Sequence, residues 1–561
     1  MAEQVGRRSE DREGEPEGAR RASRVIRREL GMGGTLVAVA FLCASLSPSL
    51  LPRPWTLQGV VAGLAAVLGY GLGSAISAVL RRVFGLIPSP RARRVAWWLL
   101  VAGGAVVALS VLWFSADWQR EIRLSVGMDP NIVWFIPLIA LVALATFTAL
   151  LALARAVRLG TRKLIALLGR FVPALVAKVA GLAVAGFLVS VFANDVLFAG
   201  FVEVMNNTSS LANGSTSPGI HAPASSRLSG GPGSLVSWGS LGRTGRDLIG
   251  TTPTKQQLST FAGRPAKEPI RVYVGLDSAP TMAEQARLAV RELERTGAFD
   301  RAVLAVMGTT GSGWVDSDGA DSLEYMYAGD TAMVAMQYSY LPSWLSFVVD
   351  QAKAAEAGRA LVSAVEARLA TLPAGGRPRL VAFGESLGSY FVEQGFGGDL
   401  DDLLTATDGV LLAGPPNANP IWRSVVARRD PGSPEWRPLY QGGKQVAFGQ
   451  TPHDLADAGR PGLVYLQNAS DPVVWWNPSL IWRKPAWLAE PSGPDVAPAM
   501  RWYPVVTFWQ VVVDLTIALG VPDGHGHRYG PNLVNGWAAV AAPEGWTPAD
   551  TDRLRTIIQY R

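Results

Sequence analysis

Residues 384–388 read Gly-Glu-Ser-Leu-Gly. RLVAF (379–383) before them reads as a β-strand, and LGSYFVEQGF (387–396) after Ser386 reads as a helix. G-x-S-x-G at a strand-to-helix turn is the pattern of a nucleophile elbow. Gly384 and Gly388 let the helix pack close to the strand, while Ser386 takes a strained conformation that exposes its hydroxyl. A serine hydroxyl needs a general base to become a nucleophile, and the base needs a carboxylate to orient it. In elbow sites these partners follow later in the chain, acid first and histidine second. The acid expected is Asp471 in GLVYLQNASDP, just past a strand-like run at 462–468; Asp454 and Asp457 are rivals but precede that run. The base is expected in PDGHGHRYG (522–530), a polar Gly-rich loop holding two of the chain's four histidines. His525 and His527 are both candidates, with His525, flanked by Gly524 and Gly526, preferred. A developing oxyanion needs two N–H donors. The Leu387 amide supplies one, and the loop MGTTGSGW (307–314) offers Thr310 and Gly311 for the other. Glu385 is expected to be a polar elbow residue. His221 falls in a polar stretch with no chemistry nearby.

These residues need a scaffold. From about 270 onward strand-like runs alternate with helical patterns: RVYVGL (271–276), AVLAVMG (302–308), TAMVAMQYSYL (331–341), RLVAFGES (379–386), DGVLLAGPP (408–416) and GLVYLQN (462–468). The runs are continuously apolar, the mark of a parallel sheet covered on both faces. The expected class is α/β, doubly wound and mostly parallel, with reactive groups in loops past the carboxyl ends of strands.

The first part of the chain is different. With 49% hydrophobic and 17% charged residues and a mean hydropathy of +0.20, the protein is too apolar for a purely soluble one. Runs at 33–51, 57–79, 95–114, 132–153 and 172–194 each approach the roughly 20 residues of a spanning helix. Arg20, Arg21, Arg24, Arg27 and Arg28 precede the first. Arg81, Arg82, Arg91, Arg93 and Arg94 lie between the second and third, and Arg155, Arg158, Arg162, Lys163 and Arg170 between the fourth and fifth. By the positive-inside rule the N-terminus is cytoplasmic, and five spans place the C-terminal part outside the plasma membrane. RLGTRKLIALLGRF (158–171) reads as an amphipathic helix on the inner surface; were it to span, the C-terminal part would be cytoplasmic. Asp195 reads as an interfacial residue. The expected domains are a disordered arm (1–30), a transmembrane helical domain (31–203), a Gly/Ser/Pro-rich linker and packing segment (204–265) and a catalytic domain (266–561). The net charge of +6 is accounted for by membrane topology rather than nucleic-acid binding. The single Cys43 cannot form an intramolecular disulfide. No nucleotide, flavin or metal motif appears, so no cofactor is expected.

The spans ending in SLSPSLLPRP, the segment WGSLGRTGR, GESLGS, and GHGHRYG followed by NGWAAV together resemble the membrane-anchored α/β-hydrolase family of actinobacteria, over about residues 30–560. The resemblance implies an N-terminal membrane domain and an α/β-hydrolase domain with a Ser-Asp-His triad, carried onto Ser386, Asp471 and one of His525 and His527. The doubled histidine leaves the base open. The expected activity is hydrolysis of an ester or thioester, with membrane lipids or an acylated envelope substrate as partners. Acyl transfer by the same triad is the alternative, and a non-catalytic tethered binding protein a second one. A transporter is disfavoured because the spans lack converging polar groups. Trp475, Trp476, Trp482, Trp487, Trp502 and Trp509 fall between acid and base, where a cap or an ordinary aromatic core would both suit them.

Overall fold

The computed structural model describes residues 30–85, 89–192, 194, 198–456 and 459–560. The five N-terminal arginines, Asp195 and Asp457 lie outside the described residues.

The apolar runs of the first part form α1 (Met32–Ser45), α2 (Trp55–Phe84), α3 (Pro90–Ser125), α4 (Ile136–Leu168) and α5 (Ala174–Val191). Among the described residues, α2 to α5 are the four helices long and apolar enough to cross a membrane. They approach each other through small residues. A Cβ on Gly69 or Gly73 would overlap α1, and one on Gly59 or Gly63 would overlap Val142 or Ala143 of α4. Such close backbone approach suits helices associating in lipid, where packing rather than water exclusion holds them together. Their outer faces expose Trp98, Leu99, Trp113, Leu175 and Phe187.

Three expectations are corrected. The run at 33–51 is helical only as far as Ser45. Pro48 and Pro52 stop it, and residues 46–51 continue as buried irregular chain. The carbonyls this frees are satisfied by side chains: Gln58 donates to Ser45 O (2.9 Å), and Gln510 donates to Ser45 O (3.3 Å) and Ser47 O (3.1 Å). Residues 158–168 are not a separate surface helix but the continuation of α4, because no breaker separates them from the span. The Gly/Ser/Pro-rich stretch after 204 holds more helix than a connector or long loop would. It forms α6 (Ala199–Gly214), α7 (Gly242–Gly250) and α8 (Lys255–Ala262). Between α6 and α7 it is gathered by Arg246, which is buried and donates to Asn213 O (2.7 Å), Gly239 O (3.2 Å) and Ser215 O. Ser229 N donates to Arg271 O at 3.0 Å, adding this stretch to the sheet edge.

The C-terminal part contains β1 (Ile270–Val274), α9 (Met282–Thr296), β2 (Val303–Gly308), α10 (Ser317–Met326), β3 (Thr331–Met336), α11 (Ser343–Val349), α12 (Gln351–Ala370), β4 (Arg379–Glu385) and α13 (Leu387–Gly395). After these come α14 (Leu400–Ala406), β5 (Gly409–Ala413), α15 (Pro420–Ala427), β6 (Val446–Gly449), β7 (Leu463–Leu466), α16 (Pro472–Trp475), α17 (Ala486–Ala489), α18 (Val506–Leu515), α19 (Asn532–Ala541) and α20 (Pro548–Gln559). Among the described residues the strands form one seven-stranded sheet in the order β1-β3-β2-β4-β5-β7-β6, parallel at every pairing. Nearly every strand residue is buried, as their unbroken apolar character requires. Helix α9 shows how the local code works. The Thr281 hydroxyl caps it, Ala286, Leu288, Ala289 and Leu293 face inward, and Gly297 ends it at φ +73°.

The two parts meet in a buried polar knot. Arg53, between α1 and α2, donates through Nε to Asp514 Oδ1 on α18 (2.8 Å), and both side chains are fully buried. The other Asp514 oxygen accepts from the Leu50 amide (3.1 Å) and the Ser49 hydroxyl. The Arg53 amide donates to Gln119 Oε1 on α3 at 2.9 Å. The irregular segment after α1 thus wedges the helical region against the C-terminal part.

Candidate active site

Strand β4 ends at Glu385 and α13 starts at Leu387, leaving Ser386 at the turn with φ 55° and ψ −129°. A non-glycine residue there stores about 1–3 kcal/mol of strain. Its backbone is held on both sides: Ser386 N donates to Ala413 O (2.9 Å), and Ser386 O accepts from Ser389 N (2.9 Å) and Ser389 Oγ (2.6 Å). The flanking glycines are needed for close approach. A Cβ on Gly384 would overlap Gly388 O, and a Cβ on Gly388 would overlap Gly308 O at the end of β2.

Asp471 follows β7 and is fully buried. Its Oδ2 lies 2.7 Å from His527 Nδ1 and accepts from the Tyr529 hydroxyl at 2.7 Å, while Oδ1 accepts from Val473 N at 2.8 Å. The backbone around His527 is clamped. His527 N donates to Ala518 O (2.9 Å), and the Asn468 side-chain amide donates to Gly526 O (2.9 Å) and Arg528 O (3.3 Å). The imidazole lies against Gly414, where any Cβ would overlap it. Gly414 follows Ala413, whose carbonyl receives the Ser386 amide, so the histidine ring and the serine border the same two residues at the end of β5. His527 Nε2 is buried and has no hydrogen-bond partner among the described residues.

His525, the histidine preferred on sequence, is elsewhere. Its Nδ1 lies 3.2 Å from Asp495 Oδ2, not on Asp471. Gly526 between the two histidines has φ +50°, which turns the chain so that the rings reach different acids. Of the expected oxyanion donors, the Leu387 amide sits at the first position of α13. The Thr310 amide is committed to Trp314 O at 3.0 Å, closing a turn, and so is not available. Gly311 packs onto the Ser346 side chain and Leu341 O, which leaves no room for a Cβ. Thr309, the first residue past β2, comes closer to the elbow: its carbonyl carbon is 3.6 Å from where a Cβ on Gly388 would stand.

Sequence reasoning missed Asn468, Tyr529, Gly414 and Asp495. Only Tyr529 carried a local signal, two residues beyond His527. The others become visible only when β5, β7 and the 522–530 loop are brought together.

Glu385 is more than a polar elbow residue. It is 3% exposed, and burial first, then Asp316 and Asp471, push its carboxyl well above the usual range. Asp316 is buried beside it and caps α10, its Oδ1 accepting from Asp318 N at 2.7 Å. An acid whose folded pKa is raised binds a proton in the folded state that the unfolded chain has already lost. Stability from this group is complete below the unfolded value near 4.3 and falls as pH rises toward the folded value. Glu385→Gln keeps an N–H donor to Asp316 and cannot ionise. We expect its thermal midpoint to fall less steeply than the wild type's from pH 5 to 9, and a parallel decline in both proteins would show that Glu385 does not govern it.

A parallel sheet of this order, with a strained serine past one strand and an Asp–His pair past later ones, defines an α/β-hydrolase-type protein. The sequence profile of the Alpha/beta-hydrolase family matches residues 270–554, and that of the Alpha/beta-hydrolase family N-terminus matches residues 46–253. The chain belongs to this α/β-hydrolase family, helical region included. No curated protein and no solved structure is significantly similar to it.

Proposed function

We propose that the protein is a membrane-anchored serine hydrolase that cleaves an ester or thioester bearing an apolar acyl chain. The observation that carries this is the Asp471–His527 pair bordering the same strand end as the strained Ser386. Ser386 Oγ attacks the acyl carbonyl as His527 Nε2 takes its proton, and Asp471 holds the imidazole through Nδ1. The amides of Leu387 and Thr309 receive the oxyanion, aided by the N-terminus of α13. Collapse of the tetrahedral intermediate expels an alcohol or thiol, to which His527 returns the proton. Water, deprotonated by the same nitrogen, then releases the acid and frees Ser386.

An apolar acyl group fits the surroundings. Ser346, against which the Gly311 loop packs, precedes Phe347, which meets Trp476 edge to face at 5.9 Å, and Trp476 lies tilted against Phe508 at 5.9 Å. The two basic loops support an outer-face location. They lie at the ends of α2 and α4 remote from α18, so the positive-inside rule puts the C-terminal part opposite them, outside the membrane.

The test is turnover of p-nitrophenyl esters by full-length protein in detergent micelles. From butyrate to octanoate, kcat/KM should rise by up to roughly fourfold per methylene, the value of about 0.8 kcal/mol of apolar burial. Absence of turnover at every chain length would leave the non-catalytic scaffold as the better reading. Added alcohol captured as a new ester would favour acyl transfer over hydrolysis.

A further inference from the structure

The second histidine–aspartate pair has no part in the chemistry above, yet it is wired to the triad. Asp495 is 1% exposed, and its Oδ2 faces His525 Nδ1 and accepts from the Ser470 hydroxyl. Ser470, fully buried, in turn accepts from the Gly526 amide at 2.8 Å. Ser470 is the residue before Asp471, and Gly526 the residue before His527. One carboxylate and one hydroxyl therefore tie the backbone that carries the acid to the backbone that carries the base.

The outer side of this pair rests on the helical region. The turn that follows α3 puts Gly127 against the His525 ring, with a Cβ on Gly127 lying 3.6 Å from Nε2. Ser125 Oγ lies 3.5 Å from Asp495 O. The Leu51 side chain, in the wedge after α1, lies 3.4 Å from where a Cβ on Gly526 would stand. Val126 is fully buried in the same core as the sheet.

We infer that His525 and Asp495 are positioning residues which set the Asp471–His527 pair and seat it on the 125–127 turn, so that the docked helical region holds the catalytic histidine in register. His525 donates a hydrogen bond and fills the space over Gly127; it takes no proton from substrate. This inference rests on the proposed hydrolase reading. The physical basis is that a general base displaced by a fraction of an ångström loses rate steeply while substrate binding is little changed.

The experiment measures phosphonylation of full-length protein in micelles by a fluorophosphonate, which releases fluoride, with ester turnover and the thermal midpoint recorded for each variant. His525→Ala should lower the phosphonylation rate constant and kcat about tenfold with KM unchanged. His525→Asn, which keeps an N–H near the Nδ1 position, should recover most of that loss. Asp495→Asn, which keeps an acceptor for Ser470, should fall between them. Wild-type rates in His525→Ala, while His527→Ala is inactive, would overturn the inference and leave the hydrolase reading intact. An equal loss in His525→Asn and His525→Ala at an unchanged thermal midpoint would also overturn it, because the ring itself would then be needed for chemistry. Failure of the wild type to react with the fluorophosphonate would remove the hydrolase reading and this inference together.

Discussion

Ser386→Ala and His527→Ala are each expected to lower kcat for an ester substrate by about 10⁴–10⁶-fold, and the double variant by no more than either alone. In the proposed mechanism Ser386 Oγ is the atom that forms the acyl bond, and a hydroxyl without a base is a poor nucleophile. Each side chain therefore works only through the other, and the second loss finds nothing left to remove. The folding background supports a clean measurement. Ser386 Oγ has no structural partner to lose among the hydrogen bonds described, and its backbone is held by Ala413 and Ser389 regardless of the side chain. His527 is different, because its loss leaves Asp471 with Tyr529 and Val473 as donors. His527→Gln therefore serves as a second variant, filling the pocket over Gly414 without a base. Kinetics on purified full-length protein settle the matter. Additive losses in the double variant would mean that the two residues act independently and that the proposed proton transfer is wrong.

Asp514→Ala is expected to destabilise the junction between the helical region and the C-terminal part by about 3–5 kcal/mol, the cost of leaving a buried charge unpaired. Arg53 would keep Gln58 Oε1 and Gln510 O as neutral acceptors at 3.3 Å each but lose the carboxylate it pairs with among the described residues. Ser49 and Leu50 would lose their shared acceptor as well. The thermal midpoint in micelles should drop, and Arg53→Met added to Asp514→Ala should recover part of the drop by removing the orphaned charge. An Asp514→Ala protein as stable as wild type would show that the knot is solvated or dispensable.

The parts of this molecule that were legible in sequence are those whose physics is local. The elbow needs Gly384, Ser386 and Gly388 within five residues, and a strand and a helix at its edges, so GESLG announced it. The sheet was legible because parallel strands buried on both faces must be continuously apolar. The position of Asp471 just past such a strand was legible for the same reason. Which of His525 and His527 meets Asp471 is not local. It depends on Asn468 gripping the carbonyls on either side of His527, and on Asp495, thirty residues earlier, receiving His525. The stretch after 204 misled for a related reason: its composition offers little to bury, and its order comes from a guanidinium, Arg246, that bonds carbonyls regardless of side-chain identity. The first helix is shorter than its apolar run, as Pro48 and Pro52 imply, but the sequence does not show that the chain past it stays buried because Gln58 and Gln510 satisfy its carbonyls. The tryptophans divided between the two readings offered for them. Trp475 and Trp487 are core residues, whereas Trp482 is exposed and Trp476 sits half-buried beside Phe347 and Phe508.

The central claim is that one serine hydroxyl is activated by one imidazole. Peptide mapping of the full-length protein after reaction with a fluorophosphonate tests it most directly. A single phosphonyl adduct on Ser386, absent in His527→Ala and retained in His525→Ala at a reduced rate, is the result predicted. An adduct on another residue, or none on folded wild-type protein, would contradict it.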